Sequence, residues 1–235
     1  MHPGTLFLIP APLGEAEFAD IIPANVQQRI TCLKYFIVEH PKTARYFLKQ
    51  IEGMRPLQEI EMQVLNEHTR FNEIGRLLEP LLAGNDIGLL SEAGCPAIAD
   101  PGANLVRVAH QKHVPIVPLV GPSSILLALM ASGLNGQSFH FHGYLPIKHE
   151  LRLKTIIQLE QESARFNQTQ IFIETPYRNQ KLLELLIQNC NDETDLCIAS
   201  NLTLKDEYIA TKKIKEWKSY LPQINRRPTV FLLHR

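Results

Sequence analysis

Short apolar runs that stop abruptly at proline, glycine or charged residues set the strongest limit on how this chain folds. Thr5-Leu-Phe-Leu-Ile9 stops at Pro10-Ala-Pro-Leu-Gly14, and Tyr35-Phe-Ile-Val38 stops at Glu39-His40-Pro41. Such runs read as strands buried on both faces that feed directly into loops. Further strands are expected at 61–65, 87–90 and 115–119. Helices are expected between them at 43–51, with Pro41 in the first turn, and at 103–111. Phe71, Ile74, Leu77, Leu78, Leu81 and Leu82 follow the helical period and predict one amphipathic helix closed by Gly84. Strands alternating with helices make a parallel sheet with helices on both sides.

The pattern changes after Gly121-Pro122. A helix over 125–129 leads into Phe139-His-Phe-His-Gly143, which alternates like a strand with two unlike faces. Helices are expected at 148–165 and 179–188, strands at 169–174, 196–200, 207–211 and 229–233, and a short helix around Trp217. Closely spaced late strands predict a mixed sheet. The expected organisation is therefore α/β in two domains, 1–120 with a parallel sheet and 121–235 with a mixed one.

Bulk composition narrows the class of function. Lys+Arg and Asp+Glu balance at 24 each, so no global field draws the chain to nucleic acid or membrane. A local patch remains open near the C-terminus, where Lys212, Lys213, Lys215, Lys218, Arg226 and Arg227 cluster, although short charge runs are usually solvated surface. Cys32, Cys95, Cys190 and Cys197 form no CxxC pair, and no apolar run approaches a membrane span. A cytoplasmic protein with reduced thiols, no membrane contact and no metal is expected. His140 and His142 share a strand face but have no third ligand at recognisable spacing.

Ligands of open parallel sheets bind beyond the carboxyl ends of the strands. There the sequence places Pro10 to Gly14, Glu39-His40, Glu67-His68, the loop Ser91-Glu-Ala-Gly-Cys-Pro-Ala-Ile-Ala-Asp-Pro-Gly102, and Gly121-Pro-Ser-Ser124. Two glycines and two prolines hold the long loop to a detailed path, suited to presenting backbone groups to a ligand. Neither G-x-G-x-x-G nor G-x-x-x-x-G-K-[ST] occurs, so a diphosphate cradle is not indicated. Glu39, His40, Glu67 and His68 are candidate proton acceptors. The two glutamates equally suit charge stabilisation of helix N-termini, and the histidines suit loop hydrogen bonding.

The long loop resembles one in the tetrapyrrole-methylase superfamily. So do Gly121-Pro-Ser-Ser-Ile125, Ser132-Gly-Leu134, Phe141-His-Gly-Tyr-Leu-Pro146, Phe172-Ile-Glu-Thr-Pro-Tyr-Arg178 and Leu202-Thr-Leu-Lys205, in the same order. Within it, the chain is most similar to the branch that methylates a cytidine ribose 2′-hydroxyl of small-subunit ribosomal RNA. The resemblance implies a two-domain homodimer with S-adenosylmethionine in the interdomain cleft and RNA of the small ribosomal subunit as partner. It also implies donor contacts at Pro12, Leu13, Gly14, Glu92, Cys95, Ser124, Ile125, Thr175 and Pro176, with Ala199 and Pro228 near the adenine. The branch pattern Glu-Asp-Thr-Arg reads Glu39-His40-Pro41-Lys42 here, and Ser200-Asn201 stand where the branch has an Arg before Leu-Thr. Two alternatives therefore stay open: a tetrapyrrole, other small molecule or protein as acceptor, and a donor-binding scaffold without catalysis.

Overall fold

The computed structural model describes residues 2–15 and 18–235. The chain divides into two compact units, Met1–Ser123 and Ser124–Arg235.

The first unit is built on β1 (Leu6–Ile9), β2 (Tyr35–Val38), β3 (Glu61–Val64), β4 (Ile87–Leu90) and β5 (Ile116–Pro118). All pairings are parallel and the order is β3-β2-β4-β1-β5. Its helices are α1 (Phe18–Ile21), α2 (Ala24–Thr31), α3 (Pro41–Lys49), α4 (Phe71–Leu77), α5 (Glu79–Leu82) and α6 (Gly102–Gln111). Alternate strand residues point to opposite faces, and each set finds its own helices. Phe7, Ile9, Phe36 and Val38 pack with Val26 and Ile30 of α2 and Ala44, Phe47 and Leu48 of α3. Leu6, Ile37, Ile87 and Leu89 pack with Ile74, Leu78, Leu81, Leu105 and Val108. Each fully buried Leu, Ile or Phe contributes about 1.5–3 kcal/mol. These two layers hold the strands' carboxyl ends in one row.

The helix expected through Leu82 is broken. Pro80 has no N–H to bond the carbonyl of Arg76, so the chain turns at Leu78 (φ −91°, ψ −1°) and restarts as α5. Phe71 (59% exposed) and Leu82 (43% exposed) lie outside the core. Helix α2 escapes a periodicity reading because it buries only Val26 and Ile30 among polar residues.

The second unit holds β6 (Phe139–Tyr144), β7 (Thr169–Ile173), β8 (Asp195–Ser200), β9 (Tyr208–Lys213) and β10 (Thr229–His234), in the order β6-β7-β10-β8-β9. β6 and β7 are parallel and the other pairs antiparallel, the mixed sheet expected from the sequence. Its helices are α7 (Ser124–Ser132), α8 (His149–Phe166), α9 (Asn179–Asn189) and α10 (Ile214–Trp217). α8, α9 and α10 cover a core centred on stacked Phe172 and Phe231, whose ring centroids lie 5.9 Å apart. Buried Trp217 donates from Nε1 to the Leu196 carbonyl at 2.9 Å. Thr211 Oγ1 donates to the Ser132 carbonyl at 2.7 Å and ties α7 to β9.

Gly121 lets the loop after β5 pass the loop after β1. A Cβ there would lie 2.2 Å from Pro10 Cγ and 2.6 Å from Pro10 Cβ, in a ring that cannot swing away. Gly121→Ala should lower stability by about 1–3 kcal/mol, read as an earlier urea midpoint of the whole chain. An unchanged midpoint would mean that the loops do not depend on this approach.

Candidate functional site

The loops at the carboxyl edge of the first sheet are joined by direct bonds. The Ala11 amide donates to the Gly94 carbonyl at 2.9 Å, and the Gly94 amide donates back to Ala11 at 3.0 Å. Gly94 adopts φ +69°, and a Cβ there would sit 3.3 Å from Leu13 Cδ2 and 3.8 Å from the Pro122 carbonyl. Glycine is thus required by conformation, while space is tight. Ser91 Oγ donates to the Gly94 carbonyl at 2.8 Å, and Cys95 Sγ lies 3.5 Å from the Pro122 carbonyl. Loops following β1, β4 and β5 therefore meet at Gly94-Cys95.

Asp100 shapes the rest of the long loop. Its carboxylate accepts the Ala97 amide on both oxygens at 2.9 Å and the Gly102 amide at 2.7 Å. Ala97 (φ 67°) and Ala99 (φ 57°) are held in the left-handed region, a cost of roughly 1–2 kcal/mol each that these bonds help to offset. Backbone strain of this kind gathers at functional loops.

Glu39, at the end of β2, faces the same group. Burial pushes its carboxyl above the ordinary value and the Asp100 charge pushes it further, while a hydrogen bond from the Glu92 amide opposes both. Asp100 is also raised by burial, against the Gly102 and Ala97 amides. His40 Nδ1 lies 3.9 Å from Glu92 Oε1. No lysine or arginine pairs with Glu39, Glu92 or Asp100 among the described residues. The Cys95 thiol is raised by burial, which leaves it protonated and suited to packing.

In the second unit, Glu174 organises the turn after β7. Its side chain is fully buried, and its Oε1 accepts the Thr175 amide and Arg178 Nη2, both at 2.7 Å. Arg152 Nη2 stands 3.0 Å from Oε2, off the axis of a hydrogen bond, so that contact is coulombic. Arg152 also donates from Nε to the Pro146 carbonyl at 2.8 Å. Burial pushes the Glu174 carboxyl up, but the Arg178 and Thr175 hydrogen bonds and the two guanidinium charges outweigh it, and the net direction is downward. Beside this turn, Asn201 (φ 51°), Thr203 (φ 70°) and Arg226 (φ 62°) are left-handed. The Asn201 amide donates to the Pro228 carbonyl at 2.9 Å, and Arg226's to that of Pro176 at 2.9 Å.

Of the sequence-derived candidates, Leu13, Glu92 and Cys95 belong to the joined loops of the first unit, with Pro12 and Gly14 beside them, and Glu39 and His40 approach Glu92 from the end of β2. Glu67 and His68 are exposed, and among the described residues their side chains pair only with each other, at 3.6 Å. Ser124 and Ile125 open α7, Thr175 and Pro176 lie in the turn after β7, Pro228 is exposed before β10, and Ala199 is buried within β8. The His140 and His142 rings lie with centroids 3.9 Å apart, tilted by 36°, and His142 Nε2 meets Gln170 Oε1 at 2.6 Å. No group of three or more His, Cys, Asp or Glu among the described residues is placed to hold a metal ion. Sequence reasoning missed Asp100 and Arg152 as organisers. An acid two residues before a helix-opening glycine is the one local signal of Asp100, whereas nothing local announces Arg152.

Residues 19–218 match the family model described as Tetrapyrrole (Corrin/Porphyrin) Methylases. Among curated proteins, the chain is similar to the ribosomal RNA small subunit methyltransferase I of Vibrio cholerae serotype O1, 34% identical over 72% of this chain and 59% of that protein. The namesake from Micromonospora olivasterospora is 32% identical over 91% of this chain and 64% of its own length. That of Pseudomonas aeruginosa is 34% identical over 79% and 61% respectively. The chain thus spans about three-fifths of the length of these relatives. Solved structures of similar fold include the methyltransferase CobJ (TM-score 0.65, 18% identity, 100% of this chain and 95% of that one). Cobalt precorrin-4 methyltransferase CbiF is another (TM-score 0.61, 15% identity, 98% and 94%).

Because the Glu174 value is depressed in the fold, its stabilisation is complete above the ordinary carboxylate range and is lost as pH falls through the folded value. Glu174→Gln should cost about 3 kcal/mol at neutral pH, since it leaves Arg152 buried without its counter-charge. The same variant should flatten the acid limb of the stability profile measured by urea unfolding. A loss below about 1 kcal/mol, at the level of an exposed pair, together with an unchanged acid limb, would contradict this role.

Proposed function

Because the chain belongs to the tetrapyrrole (corrin/porphyrin) methylase family, we propose that it binds S-adenosylmethionine and transfers its methyl group to a ribose 2′-hydroxyl of small-subunit ribosomal RNA. One observation carries the donor part: the bridged loops of the first unit and the end of β2 gather Glu39, Glu92 and Asp100 with no lysine or arginine partner among the described residues. A donor set of carboxylates and backbone groups fits a ligand that carries an ammonium and a sulfonium, and it repels a phosphate. The names of the relatives, all directed at ribosomal RNA, support the acceptor.

S-adenosylmethionine supplies a methyl group already activated on a sulfonium. The chain's own work is alignment, exclusion of water and handling of one proton. Reacting atoms have to be held roughly 3–3.5 Å apart in line. The residues that hold the donor are Pro12, Leu13, Gly14, Glu92 and Cys95 in the first unit. Ser124, Ile125, Thr175 and Pro176 serve in the second, with Ala199 and Pro228 as outlying members. Glu39 is the best placed of the candidate bases, because a partly buried carboxylate with a raised value accepts a hydroxyl proton more readily than an exposed one. His40 stands next to it, while Glu67 and His68 are the remote candidates.

The exposed apolar side chains of α7, Leu126 (52% exposed) and Met130 (79% exposed), support a homodimer. No helix among the described residues is long and apolar enough to cross a membrane. The proposed acceptor places the protein's work in the cytoplasm.

The test is transfer of labelled methyl to small ribosomal subunits purified from a strain that lacks this modification. The expected product is a cytidine 2′-O-methyl, and Glu39→Gln should lower turnover at saturating donor by about 10²-fold. Donor binding with no transfer to subunits or to their naked RNA would refute the acceptor and leave the tetrapyrrole and scaffold readings.

A further inference from the structure

The basic run near the C-terminus separates into two kinds of residue. Lys213 pairs with Asp195 at 3.0 Å, Lys215 with Glu193 at 2.6 Å, and Lys218 with Asp192. Lys212 lies over the Trp217 ring, 4.9 Å from its centroid, and Arg227 reaches Asp206 at 3.5 Å. These side chains fasten β9, α10 and their neighbouring turns. Arg226 differs, because it joins no ion pair among the described residues. Its guanidinium stands 5.9 Å from the ring centroid of Tyr177. That separation is at the outer limit of a cation–π contact, so the guanidinium remains available to a ligand.

Tyr177 is itself 74% exposed on the turn after β7. Both residues are displayed by fixed backbone. The Arg226 amide donates to the Pro176 carbonyl at 2.9 Å, and buried Asn179 donates from Nδ2 to the Arg227 carbonyl at 2.6 Å. The Ile224 amide donates to Gln180 Oε1 at 3.0 Å. Arg226 is left-handed at φ 62°, a conformation that an arginine keeps only where its surroundings hold it there. Arg178, anchored by Glu174, and Tyr144, 56% exposed and near enough to Arg178 to act on its charge, extend the surface. The other exposed residues beside Arg226 are Gln223, Asn225 and Pro228. A protein partner of ordinary kind would find little apolar area here.

We propose that Tyr177 and Arg226 form a preorganised platform for one nucleotide of single-stranded RNA, with the base stacked on Tyr177 and the adjacent phosphate on Arg226. Aromatic faces stack on any unpaired base, and arginine serves both as a planar neighbour and as a phosphate ligand. A rigid turn reduces the ordering cost of the complex. The inference rests on the RNA-acceptor reading and names a surface by which the second unit would hold that acceptor.

The test uses the full chain and a fluorescein-labelled oligouridylate, read by fluorescence anisotropy. Parallel assays measure methyl transfer to small subunits and titration with S-adenosylhomocysteine. Tyr177→Ala should weaken oligouridylate binding by about 5- to 100-fold, and Tyr177→Phe should restore it. Arg226→Gly keeps the turn, since glycine suits φ 62°. It should weaken binding and reduce the salt slope by about one. All variants should bind S-adenosylhomocysteine as the unchanged chain does. If the unchanged chain binds and methylates RNA and the variants match it, the platform is overturned and the proposed function stands. Loss of S-adenosylhomocysteine affinity in Tyr177→Ala would assign the ring to the donor and overturn it equally. If the unchanged chain neither binds nor methylates RNA, the acceptor reading fails first and the platform falls with it.

Discussion

Two hydrogen bonds between Ala11 and Gly94 are the contact on which the candidate site depends. Without them the loops after β1 and β4 would leave adjacent strands as independent flaps. With them the first loop, the long loop and, through Cys95 and Pro122, the loop after β5 share one fixed edge. Backbone groups make the bridge, so side-chain chemistry around it is free to serve another purpose. The bridge also explains the cost accepted nearby. Ala97 and Ala99 hold unfavourable dihedrals, and Asp100 spends its carboxylate on two amides to keep them there.

The same arrangement sets the electrostatics. Burial raises Glu39 and Asp100 above their ordinary values, the Asp100 charge adds to the rise at Glu39, and no lysine or arginine among the described residues offsets it. A ligand that brings positive charge lowers that energy, whereas one that brings phosphate increases it. The second unit shows the opposite solution. Glu174 is surrounded by Arg152 and Arg178, its value is depressed, and the ion group stiffens a turn rather than waiting for a charge. Burial acts upward on carboxylates in both places, and the presence or absence of guanidinium partners decides the outcome.

Much of the fold was legible because buried parallel strands announce themselves by short apolar runs with sharp ends. Tyr35–Val38 and Ile87–Leu90 fall where the runs stop. The even faces of α4 and α5 misled, since apolar spacing continues across Pro80 while the hydrogen-bond ladder does not. Helix α2 was hidden by having only two buried residues. Around the candidate site, the strand-end rule nominated Glu39, Glu92 and Cys95, which the fold brings together, and equally Glu67 and His68, whose side chains pair only with each other among the described residues. What decides between such residues is long-range pairing. Asp100 acts through a local turn, whereas Arg152 meets Glu174 across 22 positions, and the acids that occupy Lys213, Lys215 and Lys218 lie 18 to 26 positions away. Charge runs read from sequence carry no record of those partners, so Arg226 could not be told from its neighbours.

The most direct measurement is titration of isotope-labelled chain with S-adenosylhomocysteine, followed by amide chemical shifts. Site residues in the bridged loops predict perturbations at Leu13, Gly14, Gly94 and Cys95, with Ser124 and Thr175 as the second unit's reporters. Saturable binding with shifts concentrated there would establish the donor site. Absence of binding, or shifts confined to other residues such as His140 and His142, would contradict it.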